Sequence, residues 1–169
     1  VKGDSLAVIV DGDLKLYNLD GNAIEVAAYV GIDGMVLDVI KHQDKFVALS
    51  NQSLVSVNDN GTLDKALVGE FTAIVKVAED LLLNSTTTMS VVNSEFIEHK
   101  LDIQLDANRL LLLGGDVLAL NNAGELSVID IRELNSLDVI GRFSIEVTDV
   151  SQAAIAQGQL WLGGNSGQH

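Results

Sequence analysis

An internal repeat constrains the fold of this chain more than any other feature of its sequence. Five stretches of mostly apolar residues superpose with starts that are 40, 36, 36 and 42 residues apart. Spacings of this size are typical of tandem repeats, in which each unit buries its apolar surface against a neighbour. The stretches are residues 4–18, 44–58, 80–93, 116–130 and a fifth that begins at residue 158.

Each repeat has the pattern of a β-hairpin. Large apolar residues recur two positions after each start, and two further apolar columns follow. Residues that favour tight reversals, such as Asp11-Gly12 and Asn122-Ala123-Gly124, separate the apolar runs. We therefore predict one hairpin in each unit. The first apolar column consists of Leu6, Phe46, Leu82, Leu118 and Leu160.

The segments between the hairpins supply two more strands per unit. A run such as residues 23–31 follows the hairpin, and one such as residues 35–41 precedes the next hairpin. Four short strands in about 40 residues are the pattern of a β-propeller blade. Residues 35–46 and 149–159 also fit a helix, but we interpret both as strands because β-branched columns recur. The predicted fold is all-β, with propeller blades of four antiparallel strands.

Counting the strands gives about four blade equivalents in a single propeller segment over residues 1–169. In this alignment the chain opens with the second strand of a blade and ends inside the equivalent hairpin of another. We expect part of a larger ring of roughly six to eight blades, completed by further residues, by self-association or by another chain. Unpaired edges and apolar blade faces would favour such association. The approximate units are 4–34, 35–70, 71–103, 104–147 and the partial unit 148–169.

Composition and charge limit the partners. Ten basic residues against 24 acidic ones give a net charge of −14, so nucleic acids and anionic membranes would be repelled. The most apolar stretch, residues 109–120, is too short to span a bilayer and contains Gly114, Gly115 and Asp116. We expect no nucleic-acid partner and no membrane insertion. With 4% aromatic residues, the core must consist mainly of aliphatic side chains, and Trp161 is expected within it.

The sequence contains no recognisable catalytic or cofactor motif. Without cysteine, the chain has no disulfide, thiolate metal site or cysteine nucleophile. Asp11 and Asp13 could bind calcium, but neither Gly21 nor Gly61 gives the ligand spacing of an EF-hand loop. We interpret the two aspartates as hairpin-turn residues and leave a looser calcium site open. We expect no catalytic residue, no metal and no cofactor.

A ligand site in a propeller lies at the mouth of the axial channel, where the innermost strands meet their loops. Polar residues that do not recur in the first-strand segments are the candidates, because a site grafted on a repeat belongs to one unit only. Drifting surface residues would give the same pattern, and both interpretations stay open. The candidate ligand-binding residues are Asp38, Lys76, Asp106, Arg109 and Asp149.

Two segments, LAVIVD at residues 6–11 and LSVIDI at residues 126–131, are strands that end in aspartate. They resemble the LVIVD-type propeller repeats of bacterial surface proteins, and the likeness is best over residues 116–164. Those repeats are rich in proline after the aspartate, whereas this chain has none. The resemblance implies a non-catalytic interaction scaffold of an extracytoplasmic protein, at the cell surface, in the periplasm or secreted, with a protein or glycan partner. The alternative is a piece of a glycan-active or quinone-dependent propeller enzyme whose catalytic residues lie outside this chain.

Overall fold

The computed structural model describes residues 4–20, 23–147 and 150–164, and every regular element in these ranges is a β-strand. These ranges therefore contain no helix that is long and apolar enough to cross a membrane. The strands form five antiparallel sheets in chain order. The first sheet contains β1 (Asp4–Val10), β2 (Asp13–Asp20) and β3 (Ala23–Val30), and the second contains β4 (Val36–His42), β5 (Lys45–Ser50), β6 (Ser53–Val57) and β7 (Leu63–Val68). The third contains β8 (Phe71–Val77), β9 (Asp80–Ser85), β10 (Met89–Val92) and β11 (Glu98–Lys100). The fourth contains β12 (Arg109–Leu113), β13 (Asp116–Leu120), β14 (Glu125–Asp130) and β15 (Asp138–Ser144), and the fifth contains β16 (Val150–Ala156) and β17 (Gln159–Gly164).

The all-β prediction is confirmed. The second, third and fourth sheets each consist of four strands that follow one another along the chain and pair with their sequence neighbours. Residues 35–46, which also fit a helix by their spacing, lie in β4, β5 and the turn between them. Each of these three sheets has the strand number and order of a propeller blade.

Five two-residue turns show which strands of the five sheets are equivalent. Each turn joins the first two strands of its sheet, and its first residue has a positive φ between 52° and 64°. Such a backbone matches the right-handed twist of the flanking strands. The turns begin at Asp11, Gln43, Ala78, Gly114 and Gln157.

The first sheet corrects the predicted strand order. The alignment matched residues 4–10 with second strands, but the turn at Asp11 belongs with the turns that follow first strands. Consistent with this, β1 contacts β4, just as the first strands β12 and β16 contact each other. The shift explains why Leu6 is 42% exposed while Leu14, the true counterpart of Phe46, is fully buried.

Contacts divide the chain into two compact units, Val1–Phe71 and Thr72–His169, and each has its own apolar core. In the first unit the core lies between the first and second sheets. In the second unit it lies between the third and fourth sheets and includes the connection from β11 to β12. Leu82 and Leu83 are neighbours in β9 and both are buried, so both faces of this strand are covered, as its apolar run predicted. Trp161 is 61% exposed, and its predicted place in the core is wrong.

Candidate functional site

A polar pocket of about 310 Å³ lies at one end of the third sheet, within the second unit. The start of β8, the end of β9 and the connection from β11 to β12 form its walls. Six of the seven lining residues carry a hydroxyl, amide or carboxylate group, and none is positively charged. The lining residues are Thr72, Asn84, Ser85, Thr86, Gln104, Leu105 and Asp106.

One wall of the pocket is the connection of residues 101–108, which we call the 101–108 loop. It contains no strand or helix, whereas the corresponding connection between β7 and β8 has only two residues. Its side chains alternate: Leu101, Leu105 and Ala107 are buried in the core of the second unit. Those of Asp102, Gln104 and Asp106 are exposed. The apolar residues therefore fix the loop, and the polar ones project from it.

Backbone hydrogen bonds attach the loop to the start of β10. Met89 N donates to Ile103 O at 3.0 Å, and Leu101 N donates to Met89 O at 2.9 Å. Thr88 Oγ1 donates to Leu101 O at 2.5 Å. The first half of the loop thus continues the hydrogen bonding of the third sheet without forming a regular strand.

Asn84 attaches the second half of the loop. Its side chain is 1% exposed, and Nδ2 donates to Leu105 O at 3.2 Å and to Ala107 O at 3.0 Å. Nδ2 also donates to Thr72 Oγ1 at 2.9 Å, and this hydroxyl donates to Ala107 O at 2.7 Å. Among the described residues, Asn84 Oδ1 has no hydrogen-bond partner. A buried amide therefore joins two strands to the loop at the cost of one unsatisfied acceptor.

Asn84 also interrupts the repeat. Counted from the hairpin turns, the same position in the second and fourth sheets is held by Leu49 and Leu120, both buried. Sequence reasoning missed Asn84 because the search for non-recurring polar residues covered only first-strand segments. The available signal was one amide in the otherwise apolar run of β9.

Counted from the same turns, the next position is polar in the second, third and fourth sheets for a structural reason. Ser85 Oγ accepts hydrogen bonds from the backbone N–H groups of Thr87 and Thr88, which closes the β9–β10 turn. Asn121 Oδ1 accepts from Ala123 N at 3.0 Å in the same way, and Ser50 has the equivalent place in the second sheet. These recurring residues shape turns, whereas Asn84 belongs to one sheet only.

Of the five candidate residues from the sequence, Asp106 lies in the pocket. Its Oδ2 accepts a hydrogen bond from Asn121 Nδ2 at 3.4 Å. Arg109 begins β12 three residues later and donates from Nη1 to Asn108 O at 2.7 Å. Arg109 is not among the lining residues.

The other three candidates lie elsewhere. Lys76 is in β8, four residues beyond Thr72, or about 13 Å further along the strand. Asp38 is in β4 of the first unit, where its Oδ1 accepts a hydrogen bond from Val39 N at 2.8 Å. Asp149 lies outside the described residues.

Neither of two ion pairs among the described residues belongs to the pocket lining. Arg132 Nε donates to both carboxylate oxygens of Asp130, at 2.9 and 2.8 Å, and Nη2 contacts Oδ2. These side-chain hydrogen bonds, together with one from Arg132 N, lower the pKa of Asp130 from 3.8 to about 2. In the first unit, Lys45 Nζ lies 2.6 Å from Asp64 Oδ2 and lowers the pKa of that carboxyl group.

The possible metal ligands are dispersed. Within the described ranges, no three His, Asp or Glu side chains are grouped so that they could hold an ion. Asp11 is the first residue of the β1–β2 turn, and Asp13 begins β2 opposite Val10.

The chain matches no protein-family model, and no curated protein matches it. Solved structures do. The WD40 domain of Neurospora crassa Pan2 has a TM-score of 0.65 and 12% identity, over 89% of this chain and 53% of that one. The computationally designed Ika8 protein has a TM-score of 0.66 and 14% identity, over 94% and 54%. A chain from the S. cerevisiae complex of Dbp5 bound to Nup159, Gle1, IP6 and ADP has a TM-score of 0.57 and 13% identity, over 83% and 41%.

This chain therefore spans about half the length of the first two structures that it matches. Identities of 12–14% carry information about the fold alone. The repeated four-stranded antiparallel sheets and these likenesses together show a β-propeller fold.

Proposed function

We propose that this chain is a non-catalytic interaction scaffold whose polar pocket and 101–108 loop bind a cationic segment of a partner protein. The observation that carries the proposal is that, among the described residues, a buried amide, Asn84, breaks the repeat and holds an extended loop against the sheet. Loops fixed on a rigid β-scaffold are common binding elements. A residue needed only for the fold would recur in neighbouring sheets, as Ser50, Ser85 and Asn121 do.

The charge of the site indicates the class of partner. The 101–108 loop presents the exposed carboxylates of Asp102 and Asp106, and the pocket adds hydroxyl and amide oxygens. A net charge of −14 attracts cationic segments from a distance. Lysine and arginine side chains would supply the hydrogen-bond donors that these oxygens accept.

We further propose that this protein is located at the bacterial cell surface or is secreted. The likeness of residues 116–164 to LVIVD-type repeats supports a bacterial cell-surface or secreted protein. The complete gene is expected to encode a secretion signal or a surface anchor. A gene without either would contradict this location and would leave the binding proposal intact.

The binding proposal is tested by titrating the 169-residue chain with an octalysine peptide in a calorimeter, with octaglutamate as the reversed-charge probe. Octalysine is expected to bind, and more weakly as the salt is raised from about 20 to 150 mM. Asp106→Asn is expected to weaken binding about five-fold, the upper range for an exposed charge pair.

Asp59→Asn is the matched control, because Asp59 is exposed in the β6–β7 turn of the first unit and the change in charge is the same. Equal losses from both variants would show diffuse attraction and would contradict a site at the pocket. Binding of a neutral oligosaccharide such as chitohexaose in place of octalysine would overturn the choice of a protein partner.

A further inference from the structure

Two turns that join a third strand to a fourth have the same backbone hydrogen bonds. In the β6–β7 turn, Asn58 N donates to Thr62 O at 2.9 Å and Gly61 N donates to Asn58 O at 2.8 Å. The β10–β11 turn, which starts at Asn93, repeats both bonds at 3.2 and 2.9 Å. Gly61 and its counterpart Phe96 both have a positive φ, of 83° and 64°. The two turns are therefore equivalent, and their side chains can be compared position by position.

The amide that caps the turn lies at a different position in each sheet. In the third sheet, Asn93 Oδ1 accepts hydrogen bonds from two backbone N–H groups, both at 3.0 Å. In the second sheet, Asn60 Oδ1 accepts from Thr62 N at 3.1 Å and from Thr62 Oγ1 at 2.7 Å. The capping amide of the second sheet therefore lies directly before a glycine, Gly61.

An asparagine that precedes a glycine can react with its own backbone. Attack of Gly61 N on Asn60 Cγ closes a five-membered ring, and the chain itself keeps the two reacting groups together. Because glycine has no side chain, nothing on Gly61 shields its nitrogen. Asn60-Gly61 is the only Asn-Gly pair in the sequence. Asn60 is also exposed, so water reaches the site.

The hydrogen bonds to Asn60 Oδ1 favour this attack. Negative charge develops on this oxygen when a nucleophile adds to Cγ, and donors aimed at the oxygen stabilise that charge. Thr62 supplies two donors, its backbone N–H and its hydroxyl. Asn58 Nδ2 donates to Thr62 Oγ1 at 3.0 Å, so the single hydroxyl hydrogen of Thr62 is left for Asn60. The turn thus places two donors at the oxygen that becomes charged.

We propose that Asn60 deamidates spontaneously in the folded protein, with Gly61 N as the nucleophile. The hydrogen bond from Gly61 N to Asn58 O opens first. The bond between Gly61 N and Asn60 Cγ then forms, the Cγ–Nδ2 bond breaks, and Nδ2 leaves as ammonia with the proton that Gly61 N gives up. Water opens the resulting cyclic imide at either carbonyl and leaves aspartate or isoaspartate at residue 60. The net reaction consumes one water and releases one ammonia, and nothing is oxidised or reduced.

The modification affects a close contact within the first unit. A Cβ on Gly61 would lie 2.4 Å from the Cβ of Ala28 in β3, so the turn packs tightly on the first sheet. Ala28 in turn packs against the core of the first unit. Isoaspartate lengthens the backbone by one methylene, whereas aspartate leaves its length unchanged. The isoaspartate form therefore loses this packing, and deamidation becomes a slow, irreversible loosening of the contact between the first two sheets.

Mass spectrometry of the 169-residue chain after incubation in mildly alkaline buffer tests the proposal. Trypsin releases residues 46–65, which contain Asn51, Asn58 and Asn60, so one peptide compares three amides. Asn60 is expected to gain about one mass unit at least ten-fold faster than the other two. A sample that was not incubated corrects for conversion during digestion. Equal rates at the three residues, or no conversion at Asn60, would overturn the proposal.

Two variants of Thr62 test the contribution of the fold. Thr62→Val keeps the shape of the side chain but removes the hydroxyl donor, so conversion of Asn60 is expected to slow about five-fold. Thr62→Ser keeps the hydroxyl and is expected to match the wild type. In concentrated urea all three chains are expected to react at one rate, because the contacts of the turn are absent. Circular dichroism checks that the variants fold alike, and a folded Thr62→Val that reacts as fast as the wild type would contradict the role of the turn.

The structural consequence has its own measurement. The aspartate and isoaspartate forms of the incubated protein are separated by chromatography, with Asn60→Asp as the reference for the aspartate form. The isoaspartate form is expected to unfold at a lower urea concentration than Asn60→Asp. Equal midpoints would contradict the loosening of the contact with Ala28. Binding of octalysine at the pocket enters none of these tests, so this proposal and the proposed function can fail separately.

Discussion

Asn84 Nδ2 lies 2.9 Å from Thr72 Oγ1, which in turn donates a hydrogen bond to Ala107 O at 2.7 Å. This chain of partly buried hydrogen bonds connects β9, β8 and the 101–108 loop. These hydrogen bonds hold the loop through its backbone carbonyls, whereas Leu101 and Leu105 hold it because their side chains are buried in the core. The pocket therefore depends on a side chain whose counterparts in two other sheets are leucines.

Replacing Asn84 by leucine tests that dependence. Asn84→Leu restores the apolar column and removes the unsatisfied Oδ1, but it leaves Leu105 O without the Nδ2 donor. Since both N–H groups of the amide are lost as donors against one relieved acceptor, the free energy of unfolding is expected to fall by about 1–3 kcal/mol. Urea denaturation measures this change, and hydrogen exchange is expected to show faster exchange in the 101–108 loop.

Leu120→Asn is the reciprocal control, since it puts an amide at the same position of the fourth sheet. Leu120 is buried in the apolar core of its sheet, so an amide there is expected to cause a larger loss, about 2–5 kcal/mol. If Asn84→Leu equals or exceeds the wild type in stability, the amide does not hold the loop.

Ser50 makes a turn cap whose removal has a separate effect. Its Oγ accepts from Ser53 N at 2.9 Å and donates to Asp33 O at 2.7 Å, and the residue is fully buried. Ser50→Ala leaves the N–H of Ser53 without this acceptor and is expected to cost about 1–2 kcal/mol of unfolding free energy. The exposed Ser136 serves as a control, where alanine is expected to change stability by less than about 0.5 kcal/mol. Equal effects in urea denaturation would contradict the assigned role.

The sheets could be predicted because their signals are local. Apolar columns and turn residues within each 40-residue stretch identified the central hairpins of the second, third and fourth sheets. The register of the first sheet was missed because only some of the five equivalent turns look alike in sequence. Asp11-Gly12 has a typical hairpin-turn composition, but Gln43 and Ala78 adopt the same positive φ without any such signature.

The pocket could be predicted only in part, because its residues meet through the path of a loop. Asp106, which lines the pocket, was among the candidates because it is polar and does not recur. Thr72 and Gln104 are ordinary strand and loop residues by composition. They become neighbours only when the 101–108 loop folds back along the sheet, and no local pattern encodes that path.

The ion pair of Asp130 and Arg132 predicts how stability depends on pH. The folded pKa of Asp130 is lowered from 3.8 to about 2, so the pair stabilises the fold above the unfolded value and loses this contribution as pH falls from about 4 to 2. Arg132→Gln is expected to be less stable than the wild type at pH 6, and the difference is expected to vanish near pH 2. Urea denaturation across this range measures the difference.

Two further observations check the same pair. NMR titration is expected to show the pKa of Asp130 near 2 in the wild type and closer to its ordinary value in Arg132→Gln. Added salt should reduce the effect, because the Arg132 side chain is 81% exposed. A variant in which the pKa of Asp130 stays near 2 would show that other groups lower it.

Alanine variants at Gly124 and Gly158 distinguish the cost of backbone strain from the cost of a steric clash. Both have positive φ, +82° and +74°, so alanine at either position incurs the strain of a left-handed backbone, about 1 kcal/mol. A Cβ on Gly124 would lie 2.5 Å from Ile145 O and 2.6 Å from Val147 O, whereas nothing lies within 4 Å of one on Gly158. The clash cannot be relieved by a side-chain rotation, because both contacts are with backbone oxygens.

Gly158→Ala is therefore expected to lower the free energy of unfolding by about 1 kcal/mol and Gly124→Ala by about 2–4 kcal/mol. The larger loss follows because Gly124 O also accepts a hydrogen bond from Ile145 N at 2.7 Å, and any shift that relieves the clash stretches this bond. Urea denaturation of the two variants against the wild type measures both values. Equal losses would mean that the segment after β15 moves away freely, and the packing of that segment on the β13–β14 turn would then contribute little to the stability of the fourth sheet.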